Sequence, residues 1–152
     1  MVDDMQRVAQ AQTRPGEEAA RALAALWEEL GKDALVARLA VAHALADLQS
    51  HPSAELKWDL RALAIADRLT DVELEQAGVH FPIRALYPSL HLNAGDAYRK
   101  VGDFDNALLH ARRGREALDA LGEDPYGGML AEGLDRLEQR TLQTQRGFAR
   151  PA

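Results

Sequence analysis

A histidine and an aspartate stand one helical turn apart in the most apolar stretch of the sequence. His43 and Asp47 interrupt residues 35–48, which otherwise consist almost entirely of Ala, Leu and Val. At this spacing the two side chains share one face of a helix, where a carboxylate fixes the tautomer of an imidazole and makes the ring more basic. A general base or a metal ligand needs such a ring, but buried polar groups also pair for purely structural reasons, which we expect here.

His91 is a candidate third member of this group. It lies on a predicted packing face of a later helix, seven residues before Tyr98. Two histidines and a carboxylate resemble a facial metal triad in ligand type, but the sequence has no HExxH motif, so we predict no metal and no cofactor. The alternative small-molecule or enzymatic site comprises His43, Asp47, His91 and Tyr98. The remaining histidines, His51, His80 and His110, are predicted in loops or at exposed positions without assignable chemistry.

A polar stripe runs along the segment that contains His91. Asn93, Asp96 and Lys100 follow one another at spacings of three and four residues, and Arg99 lies beside them. Amide, carboxylate and cation together can hold a peptide backbone and its charged groups. The same pattern is typical of the solvated face of any amphipathic helix, so both interpretations stay open.

Length, charge and composition bound the class of protein that carries these residues. With 152 residues the chain is large enough for one core, and without cysteine it has no disulfide, thiolate nucleophile or cysteine-ligated metal. A net charge of −6 argues against a nucleic-acid binder. No apolar run approaches the ~18 residues of a membrane span, and the acidic, polar N-terminus is unlike a signal peptide. We therefore expect a cytoplasmic protein with neither nucleic acid nor membrane as a partner.

The elements that position these residues are predicted to be helices throughout. Alanine and leucine dominate, aromatic residues make up 5%, and β-branched residues are sparse. Apolar periodicity and the breaks at Gly and Pro indicate about six helices in one domain over residues 17–145. Residues 1–16 are predicted to be a loose lead-in that Pro15-Gly16 ends, and residues 146–152 a flexible tail.

Residues 91–118 carry a pattern of small and aromatic residues across a predicted helix–turn–helix. Gly95, Tyr98, Gly102, Phe104 and Ala107 stand at the offsets where a tetratricopeptide repeat has its small residue, tyrosine, turn glycine, aromatic and alanine. The segment therefore resembles such a repeat, clearest over residues 88–121. In outline, the stretches ADLQ, WDLRAL and YPSLHLN also resemble short repeat proteins of actinobacteria.

The resemblance implies a short right-handed α-solenoid of helical pairs that ends in a capping helix. The function it implies is a scaffold that binds a peptide or protein segment in its concave groove, without catalysis of its own. The stripe of the first repeat helix lines that groove in the family, which makes Asn93, Asp96, Arg99 and Lys100 the candidate contact residues. Because each repeat leaves an apolar face for a neighbour, a homodimer through a terminal helix is a further expectation.

Overall fold

The computed structural model describes residues 3–149, and these form helices joined by short turns. They comprise eight α-helices, two 3-10 segments and no β-strand, so the all-helical prediction is confirmed. The α-helices are α1 (Asp4–Gln12), α2 (Gly16–Glu29), α3 (Leu35–Asp47), α4 (Pro52–Ala66), α5 (Asp71–Gln76), α6 (Tyr87–Lys100), α7 (Phe104–Glu116) and α8 (Pro125–Ala149). The 3-10 segments are Ile83–Leu86 and Leu118–Leu121. None of the helices within residues 3–149 has both the length and the apolar character that a membrane crossing requires.

The helices fall into two compact units, Met1–Ile83 and Arg84–Ala152. In the first unit α3 is the central helix, because it packs against α1, α2 and α4. This position explains why α3 is apolar nearly all round: eight of its side chains are buried, among them Val41 and Ala42 with no exposed surface. Trp27 of α2 and Trp58 of α4 pack edge to face beside this core, with ring centroids 5.0 Å apart.

The first residues differ from the predicted loose lead-in, because residues 4–12 form α1. Asp3 accepts a hydrogen bond from the backbone N–H of Gln6 at 2.9 Å and so caps the helix. Val8 and Ala11, at a spacing of three, are buried against α2 and α3. This apolar stripe is only one residue wide in a polar segment, so its burial depends on tertiary contacts rather than on the local pattern.

In the second unit α6 and α7 form a hairpin, and α8 packs against both. α6 begins at Tyr87 and has Pro88 in its first turn, where the missing N–H of proline has no partner within the helix to lose. Leu130, Leu134 and Leu137 are buried on α8. That helix continues to Ala149 through part of the predicted flexible tail, while residues 150–152 of the tail lie outside the described residues. The predicted single domain over 17–145 contains the boundary between the two units.

Candidate functional site

The tight turn between α6 and α7 fixes the relative position of the candidate site residues in the second unit. Gly102 has φ +87°, in the left-handed region that favours glycine. The N–H groups of Gly102 and Asp103 donate to the carbonyls of Arg99 and Tyr98 at 3.0 and 2.9 Å, which is a Schellman end to α6. The Asp103 carboxylate then accepts from the backbone N–H of Asn106 at 3.2 Å and caps α7.

Two glycines bring α6 and α7 into close contact, one on each helix. A Cβ built on Gly95 of α6 would lie 3.2 Å from the carbonyl oxygen of Ala107 and 3.4 Å from the Cβ of His110. A Cβ on Gly114 of α7 would lie 3.2 Å from the Cβ of His91. Each glycine thus faces the histidine of the other helix, and side chains larger than hydrogen at these positions would push the helices apart.

The predicted polar stripe lies along α6, and its charged members are joined to one another. Arg99 donates from Nε and Nη2 to one carboxylate oxygen of Asp96 at 3.1 and 2.9 Å, and the Lys100 Nζ lies 3.3 Å from the other oxygen. These side chains retain 21–38% of their accessible surface, and Asn93 is half-buried. The stripe is therefore a partly exposed ion-pair network in which two cations share one carboxylate.

The predicted group of His43, Asp47 and His91 is divided between the two units. His43 is half-buried on α3 of the first unit, and Asp47, the last residue of that helix, is exposed, so the expectation of a buried carboxylate there is wrong. Since α3 ends at Asp47, this side chain lies where the chain leaves the core. His91 lies on α6 of the second unit, and its convergence with His43 stays a prediction.

Within the second unit, His91 pairs with a residue that we predicted to be exposed and without chemistry. His110 of α7 is buried at 7% exposure, and its Nδ1 lies 2.9 Å from the Nδ1 of His91. Tyr87 stacks on the ring of His91 at a centroid distance of 5.5 Å, and Tyr98 stacks on His110 at 5.3 Å. The four rings therefore form a continuous aromatic column between α6 and α7, which we call the histidine column.

The surroundings of His110 disfavour its charged form. Burial lowers the pKa of His110 below its ordinary value of 6.5, and the positive charge of Arg113 lowers the pKa further. His110 is thus neutral at physiological pH, where it can supply one acceptor nitrogen and one donor nitrogen.

A sequence signal for this pair exists in the repeated spacing His-x-x-x-Gly. His91 and Gly95 are four residues apart on α6, and His110 and Gly114 are four residues apart on α7. In both cases the histidine and the glycine share a helix face, so a hairpin sets each histidine against the glycine of the other helix. The neighbouring residues Arg112 and Arg113 obscure this signal, because adjacent arginines are typical of a solvent-exposed helix face.

Cation binding has little support among the described residues. Within residues 3–149 no group of three or more His, Asp or Glu side chains is placed to hold a metal ion. In the first unit, a cleft of about 430 Å³ between α1, α3 and α5 is rimmed by carboxylates that include Asp3 and Glu73. These two already act at helix starts, since Asp3 caps α1 and Glu73 accepts from the Thr70 hydroxyl at 3.1 Å, so both carboxylates have a structural role.

Comparisons with known proteins add no further information on the site. No protein-family model matches the chain, and neither the curated proteins nor the solved structures give a significant match.

Proposed function

We propose that this chain is a non-catalytic helical scaffold, similar to tetratricopeptide-repeat modules, that binds an acidic peptide or protein segment along α6. The contact residues are the stripe residues Asn93, Asp96, Arg99 and Lys100. The observation that carries the proposal is the partly exposed network in which Arg99 and Lys100 both pair with Asp96. The hairpin of α6 and α7, with its glycine turn and close helix contact, supports the resemblance to a repeat unit.

The sign of the partner's charge follows from the stripe itself. Two cations and one carboxylate leave the stripe with one net positive charge, on a chain whose net charge is −6. A guanidinium has five N–H donors, and the Asp96 carboxylate accepts two of those of Arg99. A carboxylate of the partner can therefore bind Arg99 beside Asp96, or displace Asp96 from it, with charge-assisted hydrogen bonds.

Substitutions of opposite sign within the stripe test this proposal. We expect Arg99→Gln to weaken binding of a fluorescein-labelled Asp/Glu-rich peptide roughly 10- to 100-fold, because a hydrogen bond to a charged group contributes about 1.5–3 kcal/mol. Asp96→Asn should strengthen binding of the same peptide, because it removes the carboxylate that competes for Arg99. Fluorescence anisotropy measures both, and an Asn/Gln analogue of the peptide should bind weakly to every variant.

The matched control substitutes an exposed pair of opposite charges on α7. Arg112→Gln and Glu116→Gln carry the same changes of charge within the second unit, but both residues lie outside the stripe. The proposal is wrong if the wild type does not bind the acidic peptide. It is also wrong if Arg112→Gln weakens binding as much as Arg99→Gln, since net charge alone would then explain the affinity.

The assembly that we propose for this module is a short cytoplasmic α-solenoid that forms a homodimer through its terminal helix. Phe148 in the last turn of α8 supports the dimer, because 79% of its surface is exposed. Its ring lies 5.7 Å from that of Phe104, so the two aromatic residues form one apolar surface at this end of the second unit.

A further inference from the structure

The two central rings of the histidine column meet head on. The Nδ1 atoms of His91 and His110 are 2.9 Å apart and the ring centroids are 5.1 Å apart. The difference between these distances is close to two imidazole ring radii, so each Nδ1 points almost directly at the other. A contact of this length is a hydrogen bond only if one nitrogen carries a hydrogen and the other does not.

This geometry suits a proton better than a metal ion. A metal held head on by two imidazoles, with each bond about 2.0–2.1 Å long, would require about 4 Å between the two nitrogens. The helices would therefore have to move apart, and this would break the close contact between α6 and α7 at the two facing glycines. The pair is therefore built around a single hydrogen between the two rings.

We propose that His91 and His110 form a proton-operated latch that closes the hairpin of α6 and α7 and opens when both rings are protonated. With at most one ring charged, one Nδ1–H donates to the other Nδ1. When both rings are charged, each Nδ1 carries a hydrogen, and two donors with like charges face each other at hydrogen-bond distance. Acid then separates the rings and loosens the contact between α6 and α7.

The groups around the pair set the direction of the effect. Burial disfavours a positive charge on His110, and so does the nearby charge of Arg113 on α7. Both lower the pKa of His110. Tyr87 and Tyr98 of α6 flank the pair with their aromatic rings. From α8, the apolar side chains of Leu134 and Leu137 reach this crossing.

The sign of the pH dependence follows from linkage. Because the pKa of His110 is lower in the folded chain than in the unfolded chain, the unfolded state binds more protons in the interval below about 6.5. The stability contributed by the latch is therefore complete above that pH and falls as the pH decreases towards the folded value. Within the interval one such group raises the unfolding constant by up to about tenfold per pH unit.

The tautomers of the wild-type chain provide the first test, and they need no substitution. Long-range ¹H–¹⁵N spectra of the full chain above about pH 7.5 distinguish a protonated from an unprotonated Nδ1 in each histidine. We expect one Nδ1–H and one bare Nδ1 within the pair of His91 and His110. If both rings carry their hydrogen on Nε2, no hydrogen lies between the two Nδ1 atoms and the latch does not exist.

The second test removes the titration and retains a hydrogen bond. In His91→Gln/His110→Gln, two amides that do not titrate replace the rings. Below pH 6.5 we therefore expect the unfolding constant of this variant to rise less steeply with acid than that of the wild type, by a factor of up to about ten per pH unit. The matched control is His51→Gln/His80→Gln, which changes two exposed histidines of the first unit. Urea unfolding between about pH 5 and 8 is followed by the NMR signals of the three tyrosines, all of which lie in the second unit.

The outcomes of the second test separate a latch from a general acid effect. Carboxylates titrate in every variant, so only the difference in slope between the two double variants is informative. An unchanged slope in His91→Gln/His110→Gln, or an equal loss of slope in the control, overturns the proposal. If the first double variant fails to fold, the single variant His110→Gln replaces it, and the tautomers of the wild type decide the outcome. The latch does not depend on the proposed peptide site, so either proposal can fail alone.

Discussion

Replacing Gly95 with alanine tests whether α6 and α7 are packed as closely as the histidine column requires. The new Cβ would lie 2.6 Å from a terminal methyl of Leu137 and 3.2 Å from the carbonyl oxygen of Ala107. The Leu137 methyl can move only by rotation of a side chain that is 3% exposed, and the carbonyl belongs to the backbone of α7 and cannot withdraw. The substitution therefore overfills the interior of the second unit.

Two terms of opposite sign determine how much Gly95→Ala changes the free energy of unfolding. Overpacking an interior by one methyl group costs about 1–3 kcal/mol, whereas alanine is favoured over glycine inside a helix by about 1 kcal/mol. We expect Gly95→Ala to lower the free energy of unfolding by about 1 kcal/mol, which raises the unfolding constant roughly fivefold. Gly128→Ala in α8 is the matched control, since its Cβ meets nothing within 4 Å, and it should be neutral or stabilising.

Urea unfolding of both variants provides the measurement, and the distribution of aromatic residues separates the two units. Trp27 and Trp58 lie in the first unit, so tryptophan fluorescence reports on that unit, whereas the NMR signals of the tyrosines report on the second. We expect the unfolding midpoint reported by the tyrosine signals to lie at a lower urea concentration in Gly95→Ala than in Gly128→Ala. If Gly95→Ala is as stable as Gly128→Ala, Leu137 moves aside without cost and the argument for close helix contact is wrong.

Two further substitutions test the hairpin turn and the proposed dimer. Gly102→Ala places a side chain at φ +87° and should destabilise the second unit by about 1–2 kcal/mol in urea unfolding, whereas Gly31→Ala, at a glycine without positive φ, should not. Phe148→Ser should shift sedimentation from dimer to monomer, because it removes the exposed aromatic ring of α8. The control is Val72→Ser, at a residue of the first unit that is 63% exposed. A wild-type chain that sediments as a monomer at high concentration would refute the dimer.

The hairpin of α6 and α7 was predictable because its signals are local. The sequence predicts a helix to Val101, a turn at Gly102 and Asp103, and a helix from Phe104, and the structure places the helix ends within one residue of these positions. Glycine at the left-handed position and aspartate at the cap each act through their own backbone neighbours. The polar stripe follows in the same way from helical spacing alone.

The burial of α1 and of His110 was not predictable from local pattern. Val8 and Ala11 form a stripe too narrow to indicate a buried helix, and only their contacts with α2 and α3 make it one. His110 stands two residues before two arginines, which indicates a solvated face, but its surroundings are decided by His91, nineteen residues earlier in the chain. Contacts between distant residues fix both features, and a single sequence does not display them.

The latch and the proposed binding stripe share one helix, which has a thermodynamic consequence. His91 and the stripe residues all lie on α6. A partner bound along the stripe therefore stabilises the position of this helix, whereas protonation of both histidines would loosen its contact with α7. Binding free energies are reciprocal: if opening the latch weakens the partner's affinity by some factor, the partner weakens uptake of the second proton by the same factor. A tenfold coupling would lower the pH at which the pair opens by one unit, since a tenfold change in proton affinity is one unit of pKa. If both proposals hold, an acidic partner and acid conditions therefore act on the same hairpin in opposite directions.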